Sequence, residues 1–375
     1  MTAERDPYHE RAVWLSRLVN RGRRITGSPF LAGLTVGGWI PVVATLVAVD
    51  PGEASRLFLV GQWLACLMVV VGPFDVWYFD ERLLPGFFQE VDEVLTPSDD
   101  GTSRSLASKY DAYYATYWWV NVGVWGVLVL GVFVVSQPYF LEQGITTAAE
   151  RAAYLCFLIY WLTIVGLRSH AAIVTVLAIR AFAENATLDI DPLHPDGLGG
   201  LSAVGDLAIQ VTLIISLGSF ALPLSFQLAS EVAFGGFVYA GVGLFVLLIA
   251  LNFLYPTYKM NRRAQSIRER LLEQNRRRIR RLEAELAVPA DIREHPSESE
   301  RADGATDPPD AELGPDSVRE NELVQLEIQR ARREFRDHQN VQLYPLSIGI
   351  ITRLASSILL PIFFILFEFF ISGQL

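Results

Sequence analysis

Asp75, Arg168 and His170 interrupt long runs of apolar residues, and Arg353 and Glu368 interrupt another near the end of the chain. An ionisable side chain in such a run is costly, so it marks a pair, a proton relay or an ion path. Read from the outer ends of their runs, Asp75 lies about 18 residues in and Arg168 about 16, which at about 1.5 Å per residue puts both about 24–27 Å down. Opposite charges at one depth predict an Asp75–Arg168 pair, with His170 and Arg353 in the same layer. Such a layer works as a gate, or as a lock in which the charges only neutralise each other.

Hydroxyls supply the next pattern. Thr212, Ser216, Ser219 and Pro223 follow i, i+4, i+7 and i+11, one face of a helix, suited to lining a wet path or to bonding a neighbouring helix. Arg353, Ser357, Pro361 and Glu368 fall within about 80° of one another at about 100° per residue. With Ser356 they make a candidate pore-lining set, unless Glu368 simply reaches water at the outer interface. The segment LDIDPLHPDGLGGL gathers Asp189, Asp191, His194 and Asp196, a set that could hold a divalent metal or could be turn chemistry built on Pro-Asp-Gly. The chain has no phosphate-binding glycine loop, no HExxH, no GxSxG and no metal-spaced Cys/His pairs, so neither an enzyme nor a bound cofactor is expected.

The elements that must position these residues follow from hydropathy. The chain is 51% hydrophobic over 375 residues, and its apolar residues come in blocks, which predicts an all-α, polytopic membrane protein. Seven spans are expected at 30–49, 57–79, 119–137, 152 to about 180, 207–229, 233–255 and 348–372. Gly33 and Gly37 in the first have the spacing that admits a close helix neighbour. The Tyr/Trp cluster ending in Trp118 and Trp119 reads as an interfacial belt.

Basic residues orient the chain. Six arginines precede residue 25 and 17 of the 31 basic residues lie between Lys259 and Arg336, whereas the outer loops hold only Arg56 and Arg151. That bias puts the N-terminus in the cytoplasm and the C-terminus outside, in a plasma membrane. The net charge of −10, carried by 41 acidic residues against almost pure arginine as the base, fits a halophilic, high-GC composition and excludes nucleic acid as a partner. Cys66 and Cys156 sit inside apolar blocks and suggest no disulfide.

Four regions result: a cytoplasmic N-terminal segment, 1–28; a six-helix region with cytoplasmic extensions, 29–256; cytoplasmic helices at 257–345 with a disordered linker, 288–317; and the last span, 346–375. Within the third, Leu272, Asn275, Ile279, Leu282 and Leu286, and again Val324, Ile328, Ala331 and Phe335, step by three and four, a coiled-coil spacing. The two stretches pair with each other or build a stalk between chains.

This layout resembles the seven-transmembrane ion channel superfamily, which includes the insect odorant and gustatory receptors. At its C-terminal motif, Gln374 and Leu375 stand where the family has Gln-Phe, and Phe367 and Glu368 where it has Thr-Tyr. The resemblance implies an inside N-terminus, helices four to six extended into a cytoplasmic anchor, and a last span lining the pore of a tetramer. Membrane lipid and further copies of the chain are then the expected partners. A non-conducting sensor or scaffold, signalling through its cytoplasmic helices, is the alternative. A transporter would call for an inverted repeat, and none is visible.

Overall fold

The computed structural model describes residues 8–92, 95, 101–185, 202–230, 235–287 and 315–340, with 352, 359, 362–364 and 366. Every regular element among them is helical. The elements are α1 (Trp14–Thr26), α2 (Pro29–Ala48), α3 (Arg56–Asp92), α4 (Thr102–Val135), α5 (Gln137–Glu142), α6 (Ala148–Asn185), α7 (Ser202–Leu228), α8 (Gly235–Ala287) and α9 (Pro315–Asn340). Six of them, α2, α3, α4, α6, α7 and α8, are long and apolar enough to cross a membrane.

Local chemistry sets the helix ends. Gly27 adopts a left-handed conformation, φ 73°, and returns its N–H to the Arg23 carbonyl at 2.8 Å, closing α1 just before Pro29 opens α2. At the start of α6, Thr147 and Glu150 form a reciprocal cap: Thr147 N–H donates to Glu150 Oε2 at 2.8 Å and Glu150 N–H donates to Thr147 Oγ1 at 3.2 Å. Gly101, φ 101°, precedes α4.

Two compact units result. The first comprises Met1–Asp189, Gly200–Met260 and Tyr344–Leu375. Here α6 packs most extensively against α4 and also against the second half of α2, and most of its apolar length is buried. Helix α4 is the opposite case: Trp119, Val124, Val127 and Val134 on it are exposed, the pattern of a helix with one face towards hydrocarbon. The extension beyond Phe79 belongs to α3 itself, running through one π turn, Phe79–Leu83, and burying Leu84, Phe87, Phe88 and Val91.

The second unit comprises Ile190–Gly199 and Asn261–Leu343. In it the basic end of α8 runs antiparallel to α9: Arg268 donates to the Gln339 carbonyl, Arg278 meets Glu334 at 3.8 Å, and Arg332 meets Glu283 at 2.8 Å. Ile328 and Ala331 are buried and Leu272, Asn275, Ile279, Leu282 and Leu286 half-buried. These residues of the two stepped series therefore turn inward. Two expected boundaries move. α8 runs unbroken through Pro256 and the two units divide within it, between Met260 and Asn261, and α9 starts at Pro315, inside the stretch assigned to the linker.

Candidate functional site

The densest polar cluster among the described residues lies where the segment before α1 meets α3 and α4. The π turn in α3 presents Asp80 and Glu81, and α4 contributes Asp111. His9 sits between them, its Nδ1 2.8 Å from Asp111 Oδ1 and its Nε2 3.4 Å from Glu81 Oε1. The backbone is clamped too: Asp111 Oδ2 accepts from the Glu10 and Arg11 N–H groups at 2.9 and 2.6 Å, and Asp80 Oδ2 accepts from Val13 N–H at 2.9 Å. Tyr8 donates to Asp92 Oδ2 at 2.8 Å, and Glu81 Oε1 accepts from Asn20 at 2.6 Å. Burial alone would push the His9 imidazole down. The hydrogen bonds to Asp111 and Glu81 and the charges of Asp80 and Asp111 outweigh it and raise the group to about 10, so the ring is an imidazolium that its acidic neighbours share.

Sequence reasoning missed this cluster. His9 sits in a polar lead with no periodicity, and its contact with Asp111 spans 102 residues. The only available signal was Asp80-Glu81 directly after an apolar run.

Deeper in the bundle, Arg168 Nη2 donates to Asp75 Oδ2, and to the Met68 carbonyl at 3.3 Å. Both charged residues are buried, and Arg168 Nε and Nη1 find no acceptor among the described residues. His170 stands apart from the pair. Its Nδ1 is 2.8 Å from Asn121 Nδ2, and its ring stacks on Tyr114 at 5.4 Å with a 10° interplanar angle. Next to it on α6, Ser169 accepts from Trp125 Nε1 at 2.9 Å.

Thr212, Ser216 and Ser219 of α7 are buried. Thr212 and Ser216 donate to carbonyls one turn back, Ala208 at 2.6 Å and Thr212 at 2.7 Å, and Asn252 of α8 donates to Thr212 Oγ1 at 3.3 Å. Ser219 lies in the 3-10 turn Leu217–Ala221, its hydroxyl buried without a partner among the described residues. These contacts hold helices to one another and to themselves. Gly33 faces α3, where a Cβ would come within 3.1 Å of the Phe74 backbone nitrogen, and Gly37 lies against Tyr160 of α6 and Pro73 of α3.

A cavity of about 100 Å³ opens between α4, α6, α7 and α8, walled by Trp125, Phe133, Trp161, Leu222, Val242 and Phe245 among others. Its lining is almost wholly apolar, suited to an alkyl or aromatic group. The acidic-histidine set Asp189, Asp191, His194 and Asp196, and the pore-lining set Arg353, Ser356, Ser357 and Glu368, lie outside the described residues. Of the last apolar stretch, Phe364 is buried against Leu222 and Phe226, while Leu359, Ile362, Phe363 and Leu366 are exposed. No protein family, curated protein or solved structure matches the chain.

Proposed function

We propose that this chain is a multi-pass membrane protein of seven spans, N-terminus in the cytoplasm, that acts as a sensor. An apolar ligand or acyl chain in the cavity biases α8, and the cytoplasmic helix pair carries the change onward. One observation carries this reading: α8 supplies Gly241, Val242 and Phe245 to the cavity wall and, in the same helix, the arginine-rich run Arg262 to Arg281 that binds α9. A helix shared between an input site and an output element is the minimum a two-state relay needs.

The cation-channel reading rests on the last span lining a pore between subunits. At about 100° per residue, Phe364 falls within about 20° of Arg353 and Ser357 and about 40° of Glu368 on the helical wheel. Since Phe364 packs against Leu222 and Phe226 of its own chain, that stripe favours contact within the chain over a subunit axis. The pairing of Asp75, Thr212 and Asn252 likewise favours a sealed bundle.

Photolabelling tests the proposal. In liposomes, an octyl diazirine should label residues of the cavity wall, and Gly241→Phe, which fills the space, should abolish that labelling. Labelling confined to lipid-facing residues, unchanged by Gly241→Phe, would remove the input site. In planar bilayers the protein should pass no current; a cation current reduced by Glu368→Gln would restore the channel reading.

A further inference from the structure

We propose that His9, Asp80 and Asp111 form a binding site for a divalent first-row transition metal ion, which would tie the N-terminal segment to α3 and α4. This inference stands independently of the sensor reading, since no part of it uses the cavity or α8.

The geometry is that of a single-ion site. One potential ligand atom from each of the three residues lies within 4.8 Å of the others; two bonds of about 2.2 Å reach about 4.4 Å, so a single ion would draw the donors slightly together. Glu81 lies on the other side of the ring, its Oε1 3.4 Å from His9 Nε2, and would hold the imidazole rather than the ion. The donors come from three separate segments, so the fold itself brings them together. The backbone bonds to Asp111 Oδ2 and to Asp80 Oδ2 fix each carboxylate, and Asp111 Oδ1 is left to face His9.

A second observation points to a missing partner. Asp80 is fully buried, and its Oδ1 has no hydrogen-bond partner among the described residues. The Ser16 hydroxyl is close enough to Asp80 to favour its charged form, and the buried Tyr114 hydroxyl is close enough to feel that charge. The Asp80 Oδ1 is thus an incompletely satisfied acceptor in a site that gathers the carboxylates of Asp80 and Asp111 around one imidazole. Burying a carboxylate oxygen with nothing to meet it is costly, and a cation relieves that cost.

One imidazole with carboxylates is a mixed nitrogen and oxygen set, which selects Zn²⁺ or Mn²⁺ over the all-oxygen preference of Ca²⁺ and Mg²⁺. The loop with Asp189, Asp191, His194 and Asp196 is the rival location, and the experiment separates the two.

The full chain, purified in detergent and stripped with chelator, is titrated with ZnCl₂ by calorimetry, with MgCl₂ and CaCl₂ as controls. The site predicts one Zn²⁺ per chain, at least tenfold weaker binding in His9→Ala, and unchanged binding in His194→Ala. No saturable Zn²⁺ binding, binding untouched by His9→Ala, or binding lost in His194→Ala would each overturn it. Because His9→Ala could unfold the terminus, a second variant keeps the question decidable. The triple replacement His194→Ala, His295→Ala and His338→Ala leaves only His9 and His170 as imidazoles. Retained binding with one nitrogen in the Zn²⁺ X-ray absorption spectrum supports the site, and lost binding overturns it.

Discussion

A single arginine with one carboxylate partner shows how much rests on individual residues here. Arg168 and Asp75 are 4% and 5% exposed, so each depends on the other to be neutralised. Asp75→Asn should cost about 3–5 kcal/mol because it leaves the guanidinium buried and uncompensated. Replacing both, as Asp75→Leu with Arg168→Met, should cost much less. Equilibrium unfolding in mixed detergent would measure both, and a single variant no worse than the double would show that the pair is not a lock. Counting residues along two apolar runs was enough to anticipate this contact, since depth in a helix is proportional to sequence. The same count put His170 in the layer but could not foresee that Asn121 and Tyr114 engage it instead, because azimuth depends on packing. His9 had no such ruler. It lies outside any helix, and only the folded contact with Asp111 gives it a role.

Between helices, glycines decide how closely the elements approach. At Gly166 an added Cβ would come within 2.7 Å of the Val122 Cα on α4, a backbone atom that no rotamer change can move aside. Gly166→Ala should therefore force apart the most extensively packed pair and cost about 1–3 kcal/mol. Gly126→Ala on α4 is the control, because its Cβ would meet only Leu162 Cδ1 at an ordinary 3.8 Å. Thermal unfolding of the two variants side by side should show a loss only for the first, and equal melting points would contradict the close approach. Hydropathy anticipated the six long apolar helices, whose lengths follow from runs of residues. It did not anticipate the π turn at Phe79–Leu83, whose extra residue in the turn helps set where Asp80 and Glu81 point. Nor did proline content fix the end of α8, since Pro256 lies within it.

At the scale of the whole molecule, magnitudes weigh the expectation, drawn from the sequence, that copies of the chain associate. The stepped residues of α8 and α9 are engaged within one chain, with Ile328 and Ala331 buried, so that seam is not available to a neighbour. The ion pairs beside it have side chains 36–59% exposed and contribute about 0–1 kcal/mol each, less in high salt. What α9 still offers outward is Leu323 and Leu326, 63% and 59% exposed. Burying both yields about 3–6 kcal/mol at most, against an association cost of about 4–15 kcal/mol. Two leucines therefore cannot assemble an oligomer by themselves, and the exposed apolar faces of α4 and the last stretch, Val124, Val127, Leu359 and Phe363 among them, are the larger resource. A homo-oligomer of the kind the sequence leads one to expect should keep its mass in the Leu323→Glu, Leu326→Glu double variant when weighed by light scattering in mild detergent. A fall to the monomer would place the subunit contact on α9 after all, and a monomeric wild type would remove the oligomer.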